Sequence, residues 1–292
     1  PRINEASQNR RINAIVGITF TSSIGVLAGC LIGEGIEDVE IIDEQLDPIS
    51  DAEIPALLAR MASPKIVGIS TLTLNSSRAY ELAAKIKAAD PSVMVVLGGI
   101  HPTVATAETL NAKGVDVVIR GEAEVSFTQF VKAVLKGESY LSIQGVSYKR
   151  GGIPFHNPDA PLVDNLDDIP TFPYHLFEKN LHRYPSFSSV TGSRGCPYKC
   201  TFCSSRSISG KKYRFHSVER VVDEIRTLVR KYGQTSVFFM DDNIAVKKKH
   251  FYELCDALIR EGLHKEAFFH GSMRGDNATE EVLQKAKDAN FK

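Results

Sequence analysis

The chain lacks any excess of charge. Lys and Arg number 35, and so do Asp and Glu. That balance removes a general electrostatic attraction to nucleic acid or to an anionic membrane surface. Short basic runs such as Lys211-Lys212 and Lys247-Lys248-Lys249 read as solvated faces. No stretch approaches the ~18 uninterrupted apolar residues of a membrane-spanning helix. No leader with a basic start, an apolar middle and a small-residue cleavage site is visible. Cysteine is scarce, at five in 292 residues, and its unpaired use fits a reducing, cytoplasmic setting. The chain opens on Pro1 rather than Met and closes at Lys292 just after an amphipathic pattern, as a piece of a longer protein would. Its 43% hydrophobic content is enough apolar material for two ordinary domains.

What is there is concentrated. Three of the five cysteines fall within eight residues, in Gly195-Cys196-Pro197-Tyr198-Lys199-Cys200-Thr201-Phe202-Cys203, spaced C-x3-C-x2-C. A [4Fe–4S] cluster takes four cysteines. A loop with three can hold one corner of such a cluster and leave one iron with an open position. Two other readings stand beside it. A zinc ion would need a fourth ligand, for which His216 is the nearest downstream histidine, although paired C-x2-C is the usual zinc pattern. A disulfide would leave an odd thiol. Cys30 and Cys255 lie at helical spacing among apolar neighbours and read as buried structural thiols.

Up to about residue 140, strand-like apolar runs alternate with helical patterns. Ile12–Ile18, Val39–Ile42, Ile66–Ser70, Val93–Leu97 and Asp116–Ile119 are the strand candidates. Asn75 is placed to cap a helix over Ser76–Ala88, and Phe127, Phe130, Val131, Val134 and Leu135 stripe another before Gly137. The alternation predicts an α/β fold with a doubly wound, Rossmann-like parallel sheet over residues 1–140. Ligands of such sheets bind beyond the carboxyl ends of the strands. That nominates Ser70-Thr71-Leu72, Gly98-Gly99-Ile100-His101 and the loop at Gly121. Residues 141–186 predict a small hairpin and a proline-stiffened strap, including Leu166-Asp167-Asp168-Ile169-Pro170, between two domains. Residues 187–292 predict three further βα units, with strands near Ser188–Thr191, Ser236–Met240 and Ala267–His270. Position at the strand ends nominates Asp241-Asp242 and Arg274.

The cysteine run, with Phe202 immediately before Cys203, resembles the signature of the radical S-adenosylmethionine (SAM) enzymes. The resemblance implies that Cys196, Cys200 and Cys203 ligate three irons of a [4Fe–4S] cluster and that the amino and carboxylate groups of SAM chelate the fourth. It also implies reductive cleavage of SAM to a 5′-deoxyadenosyl radical. The fold it implies for 187–292 is the first half of a (β/α)6 partial barrel, truncated at its C-terminus. Ser70-Thr71-Leu72 and Gly98-Gly99 are similar to loops of the cobalamin-binding domain that precedes many such barrels, and the connector resembles that family's linker. The D-x-H-x-x-G motif, whose histidine ligates cobalt in some cobalamin proteins, is absent; His101 is either a substitute ligand or a turn histidine before proline. Family members often carry Gly-Gly-Glu where this chain has Asp241-Asp242, a variant similar to the cobalamin-dependent subgroup. Those acids could accept from the SAM ammonium or cap the following helix. Arg274 could pair the SAM carboxylate or Asp276, and Arg206 and Arg214 also lie near the cysteine loop.

The expected function is therefore a cobalamin-binding radical SAM enzyme with a small-molecule substrate and a reductant such as flavodoxin or ferredoxin. Methyl transfer to an unactivated centre is the leading reaction. An oxidative ring closure, as in the anaerobic magnesium-protoporphyrin monomethyl ester cyclase group, is the alternative. A methylthiotransferase needs three more cysteines in its first domain, where only Cys30 stands. A non-catalytic cobalamin or iron–sulfur sensor or electron carrier remains open on the residues alone.

Overall fold

The computed structural model describes residues 20–184 and 187–292. They fall into two units, 20–162 with 172–184, and 163–171 with 187–292. The strand expected at 12–18 lies outside the described residues.

The first unit is built on a five-stranded sheet of β1 (Ile66–Ser70), β2 (Met94–Gly98), β3 (Val117–Ile119), β4 (Val146–Arg150) and β5 (Ile153–His156), in that order across the sheet. The first three strands run parallel and the last two are antiparallel. Alternation along the strands explains the two-sided core. Val95, Leu97 and Val118 face α2 (Ile54–Arg60), α3 (Ser76–Ala89) and α5 (Thr106–Asn111) through Leu58, Leu82, Ala83, Ile86 and Leu110. Val96, Val117 and Ile119 face α1 (Ser22–Gly33) and α6 (Glu124–Lys136) through Leu31, Phe130 and Val131. Helix α6 ends where Gly137 turns left-handed, as its sequence predicts.

Two expectations are corrected here. Val39–Ile42 joins no sheet among the described residues; the segment is apolar but short, and β-propensity without a neighbouring strand does not make one. The hairpin expected in the connector is β4–β5 and continues the first sheet through β3. The proline-rich strap is divided. Phe172, Phe177 and Tyr184 pack their rings against Phe20 in the first unit, and Tyr174 packs against Phe172, whereas Val163–Thr171 belongs to the second.

The second unit carries a parallel three-stranded sheet, β6 (Ser189–Val190), β9 (Ser236–Phe239) and β10 (Phe268–His270), with β9 in the middle. Strands in sequence order, each followed by helix, are the start of a βα barrel; no closed barrel is present among the described residues. Between β6 and β9, a second ladder pairs β7 (Ser193–Arg194) with β8 (Arg214–Phe215) in antiparallel fashion. The short helix α7 (Ser205–Ile208) lies between the two. Ser217 caps α8 (Val218–Arg226), its hydroxyl accepting from the Arg220 amide at 3.3 Å. The chain then makes a wider π-type turn at Thr227–Lys231 and stops at left-handed Gly233. Helices α9 (Lys248–Arg260), α10 (Leu263–Glu266) and α11 (Glu280–Asp288) complete the layer. Phe251 and Phe269, both fully buried, meet Phe291 between sheet and helices; each contributes about 1.5–3 kcal/mol by burial. Cys255 is part of this core, as its spacing predicts, and Cys30 is likewise buried in α1.

Candidate functional site

The carboxyl ends of the parallel strands hold both groups of sequence-predicted residues, one in each unit. In the first unit, the register sets Ser70 beside Gly98, so the loops that follow run side by side. Thr71, buried at their meeting point, stitches them together. Its amide donates to the Gly98 carbonyl at 2.9 Å, and its own carbonyl accepts from the His101 amide at 3.3 Å. Gly99 has φ +100, and a Cβ there would stand 2.8 Å from the Thr71 carbonyl oxygen. Only glycine fits that backbone. Gly121, at φ +71, donates its amide to the Thr103 hydroxyl at 3.0 Å, and that hydroxyl donates to the Gly99 carbonyl at 2.8 Å. Thr103 thus joins the second loop to the third. Leu72, Leu74, Ile100 and Val104 are left exposed along this rim.

One residue behaves differently from expectation. The Asn75 side chain does not cap α3. It reaches back to accept from the Leu72 amide at 2.7 Å and the Thr71 hydroxyl at 2.5 Å, fixing the first loop. His101 is 5% exposed, with Nε2 2.7 Å from the Tyr80 hydroxyl and Nδ1 3.3 Å from that of Thr73. Both ring nitrogens are therefore engaged inside the unit. This is the turn-histidine arrangement and leaves no free nitrogen for a cobalt ion.

Gly99→Ala is expected to destabilise the first unit by about 2–3 kcal/mol, because the added methyl meets backbone in a conformation reserved for glycine. Denaturant unfolding followed by a probe in that unit measures it. Gly121→Ala, whose Cβ would meet nothing within 4 Å, should cost about 1 kcal/mol from φ alone.

In the second unit the β7–β8 ladder pinches the ends of the cysteine loop, pairing Ser193 with Phe215 and Arg194 with Arg214. Inside it, Gly195 takes φ +84 and packs so closely that a Cβ would lie 2.3 Å from the Lys212 carbonyl oxygen. The Cys196 amide donates to the Gly210 carbonyl at 3.4 Å, and the Cys203 amide to that of Cys200 at 3.2 Å. All three thiols are free. Cys196 and Cys200 are half-buried and Cys203 is exposed. Phe202 is 91% exposed.

Asp241 and Asp242 straddle the loop. The buried Asp241 accepts the Gly192 amide at 2.8 Å and the Ser193 hydroxyl just before the cysteines. Burial pushes its carboxyl up to about 7, only partly offset by those hydrogen bonds. The exposed Asp242 pairs with the Ser205 hydroxyl just after them. Neither caps α9, which starts at Lys248. Arg274 spends its fork on Asp276, with Nε and Nη2 each 2.9 Å from a carboxylate oxygen, and its remaining Nη1 lies 3.0 Å from Cys200 Sγ. The Asp276 bond is the main cause holding its guanidinium above the ordinary arginine range.

The strap meets the cysteine loop through Val163 and Asp167. Arg214, buried, donates to the Val163 carbonyl at 2.7 Å and to the Ser209 carbonyl at 2.9 Å, tying strap to loop. Asp167 accepts from His216 Nδ1 and from the Ser217 amide, both at 3.0 Å. Burial drives the His216 ring toward its neutral form. Burial would raise Asp167 too, but the Ser217 and His216 hydrogen bonds outweigh it and the carboxyl lies below its usual value. At neutral pH a neutral ring therefore donates to a carboxylate. His216, the candidate fourth zinc ligand, is turned to Asp167 rather than to the thiols. Among the described residues no three His, Cys, Asp or Glu side chains converge to hold a single metal ion. The donor set on the loop is three soft thiols without imidazole, which is the chemistry of an iron–sulfur corner.

A parallel α/β sheet with a glycine-lined rim, followed by a partial βα barrel that opens on a three-cysteine loop, defines a two-domain cofactor-binding architecture. A family model described as the B12 binding domain matches residues 11–131, and one described as the Radical SAM superfamily matches residues 190–292. The chain belongs to the family that joins a B12-binding domain to a radical SAM domain in that order. It is 35% identical over 254 residues to an uncharacterized methyltransferase of Pyrococcus horikoshii, covering 86% of this chain and 55% of that protein. It is 30% identical to the anaerobic magnesium-protoporphyrin IX monomethyl ester cyclase of Cereibacter sphaeroides, covering 82% and 40%. The chain spans about half the length of the curated relatives it matches. The radical SAM methyltransferase TsrM from Kitasatospora setae superposes with a TM-score of 0.79 at 16% identity, over 94% of this chain and 56% of that one. The cobalamin-dependent SAM radical enzyme OxsB gives 0.77 at 20%, over 94% and 40%. At these identities the superpositions speak for the fold.

Proposed function

We propose that the whole protein is a cobalamin-dependent radical SAM enzyme that transfers a methyl group to an unactivated centre of a small molecule. The observation that carries this reading is the cysteine loop: three free thiols at C-x3-C-x2-C, fixed at both ends, following the first strand of a parallel sheet. Cys196, Cys200 and Cys203 would each hold one iron of a [4Fe–4S] cluster, leaving one iron for SAM. Such a cluster supplies the electron that cleaves SAM, and cobalamin carries the methyl group; the protein supplies placement and exclusion of solvent.

The chain's own residues divide that work. Gly195 and the β7–β8 ladder set the path of the loop. Asp241 holds its entry and Asp242 its exit, and Asp242, being exposed, is the carboxylate available to the SAM ammonium. In the first unit, Ser70, Leu72, Gly98, Gly99 and Gly121 form a rim poor in side chains. Leu72, Leu74, Ile100 and Val104 give it an apolar surface on which a flat corrin ring can lie. His101 is structural, so no cobalt ligand comes from this loop. We assign cobalamin to residues 1–140 and SAM to residues 187–292; between them, the β4–β5 hairpin continues the first sheet. Cytoplasmic placement and a flavodoxin or ferredoxin reductant follow from the chemistry. No described helix is long and apolar enough to cross a membrane.

Ring-closing oxidation is the second reading, favoured by the similarity to the cyclase of Cereibacter sphaeroides. The test is anaerobic incubation of the whole protein with SAM and dithionite. 5′-Deoxyadenosine should form, and Cys200→Ala should make none. A loaded wild-type protein that makes no deoxyadenosine would favour the non-catalytic carrier. Transfer of label from methyl-labelled SAM into a product would separate methylation from ring closure.

A further inference from the structure

We infer that Arg274 is a positioning residue that tunes the iron–sulfur centre through the sulfur of Cys200; the inference rests on the cluster reading above. Its geometry is unusually constrained for a side chain that is 38% exposed. Two of its three nitrogens are taken by the bidentate pair with Asp276. Its guanidinium carbon stands 4.0 Å over the centroid of the Tyr198 ring. The Tyr198 hydroxyl in turn donates to Asn277 Oδ1 at 3.1 Å, and the same oxygen accepts from Asn243 Nδ2 at 2.8 Å. Asn243 is fully buried. The loop after β10 is thereby locked to the cysteine loop by a closed circuit of contacts. The one nitrogen left over, Nη1, lies 3.0 Å from Cys200 Sγ.

That arrangement presents an aimed N–H rather than a loose cation. Asp276 compensates most of the guanidinium charge, so the effect on the sulfur is that of an oriented hydrogen bond. A donor to a ligating thiolate withdraws electron density from iron and favours the more negative, reduced cluster; hydrogen bonds to the sulfurs are one of the levers that set cluster potentials. Lysine cannot reproduce it, because a single ammonium cannot hold both carboxylate oxygens and still direct a donor at the sulfur.

The test is an EPR-monitored redox titration of the reconstituted whole protein without SAM, for wild type, Arg274→Gln and Arg274→Lys. Arg274→Gln is expected to shift the reduced-to-oxidised ratio at fixed potential by about threefold to tenfold toward oxidised, a drop of about 28–59 mV for one electron. Arg274→Lys should fall in the same direction by a smaller step, and it decides the matter if the glutamine variant loses its cluster. Potentials equal to wild type, with the cluster intact, overturn the inference and leave the cluster reading standing. A loss of SAM affinity at unchanged potential would do the same and make Arg274 a SAM contact. A wild-type protein that takes up no [4Fe–4S] cluster would overturn the reading and the inference together.

Discussion

Gly195→Ala should cost the second unit about 3–5 kcal/mol and abolish its capacity to take up a cluster. Two separate penalties combine. Alanine at φ +84 is strained wherever it stands. Here the new Cβ would also sit 2.3 Å from the Lys212 carbonyl oxygen and 3.0 Å from that of Ser209. Both obstacles are backbone, so neither can rotate aside, and relief requires opening the β7–β8 ladder that closes the cysteine loop. A penalty this large is rare and has a named cause: a glycine-only conformation in a close backbone contact. Denaturant unfolding followed by a probe in the second unit measures the stability loss, and iron content after reconstitution measures the loop. Gly275→Ala, where an added Cβ meets nothing within 4 Å, is the control. An alanine at Gly195 with wild-type stability and full iron content would show that the tight approach does not shape the loop.

Asp241 should make the stability of the second unit depend on pH, in the direction opposite to an ordinary surface carboxylate. Its folded pKa of about 7 lies above the ~3.9 of an unfolded aspartate. The folded chain therefore holds the proton more tightly than the unfolded chain between those values. Stability contributed by this group is greatest below about pH 4, falls as pH rises to about 7, and is flat beyond. The full difference is about 4 kcal/mol. Asp241→Asn keeps an oxygen for the Gly192 amide and an amide to meet the Ser193 hydroxyl, but cannot ionise. On metal-free protein, the variant should match wild type below about pH 4 and exceed it increasingly up to about pH 8. Parallel stability curves would contradict the assignment. The same burial has a functional side: an ionised Asp241 needs a cation to offset its desolvation, so a cationic ligand at this end of the sheet would be favoured by it.

How much of this was legible in the sequence depends on what kind of contact carried it. The cysteine loop was legible because its signal is local: three thiols in one short run need no tertiary information. The strand at Val93–Leu97 was legible because burial leaves a continuous apolar run, the one at Ile66–Ser70 because its residues are mostly β-branched although it lies half-buried at the sheet edge, and the helix at Phe127–Leu135 because its stripe is regular. Val39–Ile42 has the same composition as a strand but finds no ladder partner among the described residues, and pairing is not written in a single segment. Asn75 stands where a cap belongs, yet its amide serves the loop behind it, since Thr71 and Leu72 offer closer partners. Thr103 stands two residues beyond His101 in the sequence, but only the fold shows its hydroxyl bridging two glycine turns. Asp167 and Arg214 act on the cysteine loop from 36 and 11 residues away in sequence from Cys203, and no periodicity connects them. For His101 the sequence left ligand and turn histidine side by side, and only the fold shows Tyr80 reaching its ring from α3.

The central claim is that one iron of the cluster has no protein thiolate and is open to SAM. EPR of the dithionite-reduced whole protein, recorded anaerobically with and without SAM, tests it most directly. The account predicts a reduced [4Fe–4S] signal that changes in shape when SAM is added and that is missing in Cys200→Ala. A signal indifferent to SAM, or a protein isolated with zinc and no iron–sulfur cluster, would contradict it.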